Sequence, residues 1–385
     1  MKAANYLVII IFTMACKKPY SPPAINAPSN YLVVEGVINT SGDSTIIKLS
    51  RTVSISYGTT VNPELHAQVN VETDQNNSYP LKEIGNGKYG LPPLSSGNAG
   101  NYRLGIKTAD NVEYLSDFVP PKNSPPIDSI TNEFTGSAEN IFAFTHDPSN
   151  NTHYYRWEYY ETYLYVSPIA SSAVFENGNI IPATPADQMT TCYVSDTSSS
   201  VLLYSTATLS RSIVNKMPIT QVPITLDKLK IRYSILVKQY ALTADAYNYY
   251  LSLNNSTVNI GTIFSTQPNS NVTNIHCLSN PNTPVVGYIS AGSAAQVRIF
   301  IDRYAVPAAI VGVNYSYCDS STAKWTGIYK PFPSLLLFGE NSPLDTVTRG
   351  YDPIKKDSVF SVGYGSSACV DCRLKGSNQK PAFWQ

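Results

Sequence analysis

The chain has little charge, and the charge it has is balanced. Charged residues make up 14% of the sequence, against about 25% in a typical soluble protein, and Lys plus Arg equals Asp plus Glu at 27 each. Proteins that bind nucleic acid neutralise its phosphates with a surplus of basic side chains, and this chain has no such surplus. The composition therefore argues against nucleic acid as a partner and gives no strong field to steer a charged ligand.

Recognisable catalytic and metal-binding motifs are also missing. None of the four histidines, His66, His146, His153 and His276, stands in an H-E-x-x-H or similar metal spacing. The chain has no G-x-S-x-G elbow and no P-loop. The segment "THDPSNNTH" brings His146, Asp147 and His153 together, but an Asx-type turn is the expected structure there. We expect no catalytic residues, no metal and no cofactor; an enzyme without a recognisable motif is the alternative.

Long apolar runs are absent beyond the first 15 residues. Residues 6–14 are almost wholly apolar, follow Lys2 and end before Ala15 and Cys16, which is the pattern of an export signal. The run is shorter than the roughly 20 residues that a membrane-spanning helix needs. We therefore expect an exported chain.

The residues around Cys16 resemble the lipobox of bacterial lipoproteins, although Thr13 stands where that pattern usually has Leu. The resemblance implies that residues 1–15 are a lipoprotein signal peptide and that Cys16 is lipidated and becomes the mature N-terminus. Residues 16–28 are rich in proline and would form a semi-extended tether. The alternative is an ordinary signal peptide that is cut nearby.

Residues 29–118 contain about seven short runs of alternating or β-branched residues and no helical period. Examples are "YLVVEGVI" (31–38), "AQVNVET" (67–73) and a hairpin pattern at 101–117. Short strands at this spacing predict an immunoglobulin-like β-sandwich.

A proline-rich segment follows the predicted sandwich. Residues 119–128, "VPPKNSPPID", carry four prolines in ten residues, which predicts a linker. Residues 129–385 contain longer alternating runs and are predicted to form a larger β-rich domain. Thr243 is a suitable N-cap for "ADAYNYYLSL", which predicts one short helix at 243–253. The expected fold class is therefore mainly β.

Aromatic side chains alternate along residues 151–166, "NTHYYRWEYYETYLYV", which predicts a long strand. One face, broken only by Glu161, carries Tyr155, Trp157, Tyr159, Tyr163 and Tyr165. We expect this face to form the core of the second domain, because so many rings bury well together. The reverse face, with Tyr154 and Tyr160, is the better candidate for contact with a ligand or partner.

Once Cys16 is set aside, five cysteines remain as disulfide candidates: Cys192, Cys277, Cys318, Cys369 and Cys372. The odd number leaves at least one without an intramolecular partner. The spacing of Cys369 and Cys372 also fits a redox motif or half of a zinc site. A redox thiolate commonly lies at a helix N-terminus, and the polar tail around Gly376 and Pro381 does not favour a helix.

An exported setting favours disulfides for this pair of cysteines. We predict that at least one of them bonds to Cys277 or Cys318. The bridge would hold the tail on the domain, and Phe383 and Trp384 would pack as a terminal plug.

Several segments, taken in order, resemble the Bacteroidota outer-membrane lipoproteins of domain of unknown function 4249. They are "YLVVEG", "PPID", "LTADAYNYYLSL", "IHCLSNPNTPVVGYISAG" and "CVDCRLKGSNQKPAFW". The resemblance implies no enzyme chemistry. It implies an outer-membrane protein that faces the cell exterior and assists a TonB-dependent receptor in uptake. A carbohydrate- or peptide-binding surface lipoprotein that works alone is the alternative.

Four short Asp-Ser/Thr segments resemble the O-glycosylation sequon of the same bacterial phylum. They place candidate modification sites at Ser44, Ser129, Thr346 and Ser358. The alternative is that all four segments are ordinary turns.

Overall fold

The computed structural model describes residues 30–40, 42–53, 61–94, 100–258, 273–305, 318–326, 340–345, 348–352 and 357–385. Strands dominate these ranges, so the predicted mainly β fold is confirmed. The predicted signal peptide and tether, with Cys16, lie outside the described residues, as does Thr346. No helix in these ranges is both long and apolar enough to cross a membrane.

The first strands of the chain are β1 (Leu32–Asn39), β2 (Thr45–Arg51), β3 (Asn62–Pro63), β4 (Gln68–Thr73), β5 (Ser78–Gly85), β6 (Lys88–Leu91), β7 (Tyr102–Lys107) and β8 (Glu113–Ser116). The next are β9 (Ile127–Phe134), β10 (Ala138–His146), β11 (Tyr154–Val166), β12 (Ala173–Glu176), β13 (Asn179–Pro182), β14 (Thr191–Thr197), β15 (Leu202–Ser205), β16 (Ile213–Pro223) and β17 (Arg232–Ala241). After them come the helix α1 (Ala244–Val258) and strands β18 (Ile275–Cys277), β19 (Val286–Gly287), β20 (Ser290–Gly292) and β21 (Ala295–Asp302). The chain ends with β22 (Ser320–Thr326), β23 (Asn341–Pro343), β24 (Thr348–Asp352), β25 (Asp357–Ser366) and the one-turn helix α2 (Ser367–Val370).

The first unit is a two-layered β structure around one apolar core. Alternate side chains of β1 and β2 point inward, and Leu32, Ile47 and Leu49 are completely buried. Strand β5 joins the layers, because its residues 78–81 pair with β4 and its residues 82–85 pair with β6. The alternation read from the sequence thus gives the predicted strands and an apolar core between them.

The division into domains at residue 128 does not match the strand pairing. Strands β19 and β20 run parallel to β1, and β18 extends the sheet beside β8. Side chains from this late segment, including Ile275 and Ile289, are buried in the first core. Strands β1 to β8 therefore share their sheet with strands at 275–292, a segment that the sequence pattern places in the second domain. Such pairing is set by long-range contacts that a local pattern does not show.

The proline-rich segment is tied to this late segment. Lys122 N donates to Ala291 O at 2.8 Å, and Ser124 N donates to Ser293 O at 3.0 Å. Its end is already strand β9, which begins at Ile127. The predicted proline-rich linker at 119–128 is therefore hydrogen-bonded along part of its length to the late segment.

The second unit is a sandwich of two sheets. A three-stranded sheet, in the order β16-β10-β9, faces a five-stranded sheet, in the order β14-β11-β17-β21 with β15 beside β11. Their shared core contains Tyr155, Trp157, Tyr233 and Ile235, all completely buried. Most of the predicted aromatic face of β11 lies at this core, with Tyr159 and Tyr163 packed against it. Tyr165 is instead buried beside the Cys192–Cys372 disulfide.

Helix α1 follows β17 directly and covers one end of the five-stranded sheet. Ala246 N donates to the Thr243 hydroxyl at 3.2 Å, which is the predicted N-cap. The helix continues to Val258, five residues beyond the predicted end.

Two disulfides hold the C-terminal tail. Cys369 is bonded to Cys318, one of the two predicted partners, and Cys372 is bonded to Cys192 on β14. Cys277, the other predicted partner, is instead a free thiol that is buried in the first core. It was a poor candidate because β18 places it in a different unit from the tail.

The end of the tail packs as a plug through Trp384 alone. Trp384 is 6% exposed and meets the rings of Tyr193 and Phe300 edge-on, at centroid distances of 5.1 and 5.6 Å. Phe383 is 37% exposed. It lies beside Arg298 on the outer face of the five-stranded sheet.

Candidate ligand-binding cleft

A cleft of about 560 Å³ lies between the two units. One wall is the outer face of β1, where Val33, Glu35 and Val37 point away from the first core. The other wall is the outer face of β11 and β17, and α1 covers one end. Ligand pockets in proteins commonly measure about 300–1,000 Å³. The cleft is therefore large enough for a small organic ligand.

The second wall carries a cluster of charged and aromatic side chains, which we call the Arg156 cluster: Arg156, Glu158, Tyr160, Lys238 and Tyr240. The period-two alternation of a strand places the three β11 members on the face opposite the core. The β11–β17 register sets Arg156 opposite Tyr240 and Glu158 opposite Lys238. The cluster thus follows directly from the strand pairing.

Glu158 is the centre of the Arg156 cluster. Its Oε1 accepts hydrogen bonds from the Tyr240 hydroxyl at 2.5 Å and the Tyr160 hydroxyl at 3.1 Å. Its Oε2 accepts from Arg156 Nη1 at 3.2 Å. Burial and then Glu158 raise the pKa of Tyr160 to about 12, and the same causes raise the pKa of Tyr240. Both tyrosines therefore stay protonated at neutral pH and act as donors to the carboxylate.

Arg156 is held between aromatic rings. Its guanidinium lies 4.4 Å from the ring centre of Tyr240 and 5.0 Å from that of Tyr250 on α1. Burial lowers the pKa of Arg156, whereas Tyr250 and Glu158 raise it, and the net direction is upward. Its side chain is 13% exposed, and its Nε is buried without a hydrogen-bond partner among the described residues. The charge is thus fixed in place at the cleft wall.

Lys238 connects the two units across the cleft. Its Nζ donates to Asp43 Oδ2 at 3.0 Å and lies 5.8 Å from the ring centre of Tyr160. Asp43 precedes β2 in the first unit, so the two walls are joined by an ion pair. The Lys238 side chain is 21% exposed, which reduces screening of the pair by solvent.

The two tyrosines predicted for ligand contact have different surroundings. Tyr160 is 38% exposed and lines the cleft. Tyr154 is half-buried and packs on Tyr247 of α1, with a centroid distance of 4.9 Å. A ligand role for either residue stays a prediction, and only Tyr160 lines the cleft.

Sequence reasoning placed Arg156 and Glu158 on the outer face of β11 but did not recognise them as a site. The available signal was the pair of opposite charges within "YRWEYY". Lys238 and Tyr240 were missed because only the strand register places them beside β11.

The segment around Asp147 is a turn, as expected. Asp147 Oδ1 accepts from Ser149 N at 2.9 Å, and its Oδ2 accepts from Thr152 N at 2.7 Å. His146 instead contacts Asp128, with Nδ1 2.8 Å from Oδ2. No cluster of metal-binding side chains occurs in the part of the chain that the structure describes.

The candidate glycosylation sites have varied surroundings. Ser44 is exposed and lines the cleft, and Ser129 is exposed on β9. Ser358 lies on β25, and its side chain is outside the described part. Modification of these residues, and of Thr346, stays a prediction.

Fold and cleft together define a mainly β protein with two sandwich-like units and a ligand-sized space between them. The chain belongs to the family of domain of unknown function 4249 (DUF4249), whose model matches residues 17–298. No curated protein matches the chain.

Three solved structures show distant likeness. Escherichia coli alpha-2-macroglobulin activated by porcine elastase has a TM-score of 0.18 and 11% identity, over 91% of this chain and 28% of that one. A candidate carbohydrate binding protein from Bacteroides uniformis has a TM-score of 0.16 and 8% identity, over 56% of this chain and 92% of that one. A tetra-tandem repeat of a large adhesion protein has a TM-score of 0.15 and 8% identity, over 89% of this chain and 66% of that one. At these TM-scores the likeness carries no argument about function.

Proposed function

We propose that this protein is a non-enzymatic, lipid-anchored outer-membrane lipoprotein that captures a ligand for a TonB-dependent uptake system. The observation that carries the proposal is the cleft of about 560 Å³ with its fixed Arg156 cluster. The export pattern before Cys16 and the family resemblance supply the cellular setting.

The cleft has the chemistry of a binding site. Glu158 and Arg156 are fixed by hydrogen bonds and ring contacts before any ligand arrives. Pre-organised polar groups lower the entropy cost of binding. Five tyrosines line the space and add large, rigid surfaces: Tyr160, Tyr240, Tyr249, Tyr250 and Tyr288. Such a surface offers a ligand both hydrogen-bonding groups and ring faces to bind against.

The position of the cleft also suits an accessory subunit. Both units contribute to it, and the ion pair of Lys238 with Asp43 links them. A ligand held there would contact both units, close to the surface that a receptor would meet. A lipid on Cys16, on a tether at 16–28, would hold this body near such a receptor. Two or more acyl chains are needed for a stable anchor.

The tyrosine-lined wall also favours the alternative function, a stand-alone carbohydrate- or peptide-binding lipoprotein. The two functions differ in the partner and share the cleft. Chemical cross-linking in intact cells, followed by mass spectrometry, separates them. A TonB-dependent receptor barrel joined to this protein supports the accessory role, and ligand binding without a receptor supports the alternative.

The anchor is tested by Cys16→Ser, which should leave the outer-membrane fraction. Cys277→Ser is the matched control, because it removes a thiol that is buried in the first core. The control should stay in the outer membrane. Normal amounts of Cys16→Ser in that fraction would refute the lipid anchor.

A further inference from the structure

The cleft continues into a second depression along the outer face of the five-stranded sheet. This depression, which we call the Arg298 groove, has a volume of about 600 Å³. Tyr160 and Lys238 line both spaces. One ligand could therefore occupy the cleft and the groove together.

The floor of the groove is one row of side chains across four strands. Tyr160 on β11 stands opposite Thr197 on β14 and opposite Leu236 on β17. Leu236 stands opposite Arg298 on β21. Because strands are about 4.8 Å apart, Tyr160 and Arg298 are separated by about 10 Å. The row places an aromatic ring and a cation at a fixed spacing.

Arg298 has no acidic partner within 4.0 Å among the described residues, unlike Arg156 and Lys238. It is half-buried, and burial lowers the pKa of its guanidinium. Its Nη1 donates to Ser234 Oγ at 2.9 Å, and the ring of Phe383 covers one face at 3.6 Å. None of its nitrogens is both buried and unpartnered. Arg298 lines the groove, so a carboxylate bound there could accept hydrogen bonds from its other N–H groups.

The groove suits a saccharide better than a peptide. Strands β11 and β17 are each paired on both sides, so their backbone groups are used in the sheet. A peptide that binds by strand addition needs an open edge, and this surface is a sheet face. A ligand here meets side chains, among them the exposed ring of Tyr160, the hydroxyl groups of Ser195 and Thr197, and the Arg298 guanidinium. The carboxylates of Glu161 and Asp196 also line the groove, and Lys238 adds a second cation.

We propose that the Arg298 groove binds an acidic saccharide, with a hexuronate carboxylate on Arg298 and a neighbouring sugar ring on Tyr160. This inference rests on the proposed ligand-capture function and names the ligand class. The guanidinium presents a planar fork that matches a carboxylate, and Lys at the same position would offer only a point charge.

Calorimetry with the purified full chain in detergent tests the ligand class. The probes are the trisaccharides of galacturonate, glucuronate, mannuronate and guluronate, together with the matched neutral hexose trisaccharides. At least one acidic trisaccharide should bind more tightly than its neutral match, and its affinity should fall as salt is added.

Substitutions then test the residues with the acidic probe that binds best. Arg298→Gln should weaken binding by roughly 10- to 100-fold, since a hydrogen bond to a charged group is lost. Arg298→Lys should recover part of that affinity, and Tyr160→Ala should weaken binding of acidic and neutral probes alike. Arg211→Gln is the matched control, because Arg211 is exposed and lies outside the groove. It should leave the affinity unchanged.

Three results would overturn the inference. They are no binding of any acidic trisaccharide at millimolar concentration, equal affinity for acidic and neutral probes, and tighter binding of pentaglutamate than of every uronate. If these results were found while the protein still cross-linked to a TonB-dependent receptor, the accessory function would be supported and only the ligand class would be refuted. The two proposals can therefore be refuted independently.

Discussion

The Trp157 indole donates from Nε1 to Gln239 Oε1 at 3.1 Å, and both side chains are completely buried. Gln239 Nε2 in turn donates to Pro125 O at 2.9 Å and lies 3.1 Å from Thr145 Oγ1. The Gln239 amide therefore forms hydrogen bonds to the indole on β11, to a hydroxyl on the facing sheet and to a carbonyl of the proline-rich segment. Buried polar groups of this kind fix a single packing arrangement.

Replacement of Gln239 by Leu should lower the free energy of unfolding by about 1–3 kcal/mol, because the Trp157 N–H would stay buried without a partner. Gln296→Leu is the matched control, since Gln296 is exposed on the neighbouring strand β21. It should change the stability by less than about 0.5 kcal/mol. Urea unfolding of both variants measures the difference. Equal losses would contradict the role of Gln239.

Peptide mapping without reductant should recover Cys192 linked to Cys372 and Cys318 linked to Cys369. Sequence separations of 180 and 51 residues correspond to about 5 and about 4 kcal/mol of unfolded-chain entropy. We expect Cys372→Ser to destabilise the protein at least as much as Cys318→Ser.

The free thiol gives a second measurement for the same pairing. Cys277 should react with iodoacetamide only after unfolding, because it is buried in the first core. A peptide that joins Cys277 to either tail cysteine would contradict the pairing.

Local patterns predicted the strands and the core far better than the arrangement of strands. The alternation along β11 gave its core face, and Thr243 gave the start of α1. The parallel pairing of β1 with β19 brings Val33 beside Val286, a contact 253 positions apart that no local period encodes. The division at residue 128 missed this pairing for that reason.

The site shows the same limit. Arg156 and Glu158 were visible as charges on an aromatic strand, because a strand alternates its faces. The sequence does not single out Arg298. Which residues lie beside it across the sheet, and that none of them is an acidic partner, depends on the strand pairing. Its place in the row emerges only from the β17–β21 register.

The folded protein should lose stability at alkaline pH, in part through Tyr160 in the cleft. Burial and then Glu158 raise the pKa of Tyr160 from 10 in the unfolded chain to about 12 in the folded protein. A raised pKa stabilises the folded state fully below pH 10, and this contribution is lost as the pH rises toward about 12. Tyr160→Phe should reduce the loss over this window, and Tyr31→Phe, outside the cleft, should not.

Glu158→Gln gives the complementary test, because it keeps the side-chain shape and removes the negative charge. The pKa of Tyr160 should fall, which ¹³C NMR of labelled tyrosine rings would measure. An unchanged pKa would show that Glu158 does not act on Tyr160.

The Asp147 turn should contribute less to the stability of the folded protein as the pH falls into the acid range. Burial acts to raise the pKa of Asp147, but hydrogen bonds from Ser149 and Thr152 outweigh it and lower the pKa to about 2. A lowered pKa stabilises the folded state above the unfolded value near 3.8, and this contribution is lost as the pH falls toward about 2. Asp147→Ala should therefore cost about 1–3 kcal/mol of unfolding free energy at pH 7.

The stability difference between wild type and Asp147→Ala should be smaller at pH 3 than at pH 7. The reason is that the wild-type contribution is lost as the pH falls from 3.8 toward about 2. Asp128→Ala is the control, because Asp128 pairs with exposed His146 at 2.8 Å and surface pairs of this kind contribute about 0–1 kcal/mol. Urea unfolding of wild type and of both variants at pH 7 and at pH 3 gives the six free energies of unfolding. A stability difference between wild type and Asp147→Ala that stays constant between the two pH values would mean that the carboxylate charge does not hold the turn. The loop would then owe its shape to Pro148 and the neighbouring strands β10 and β11.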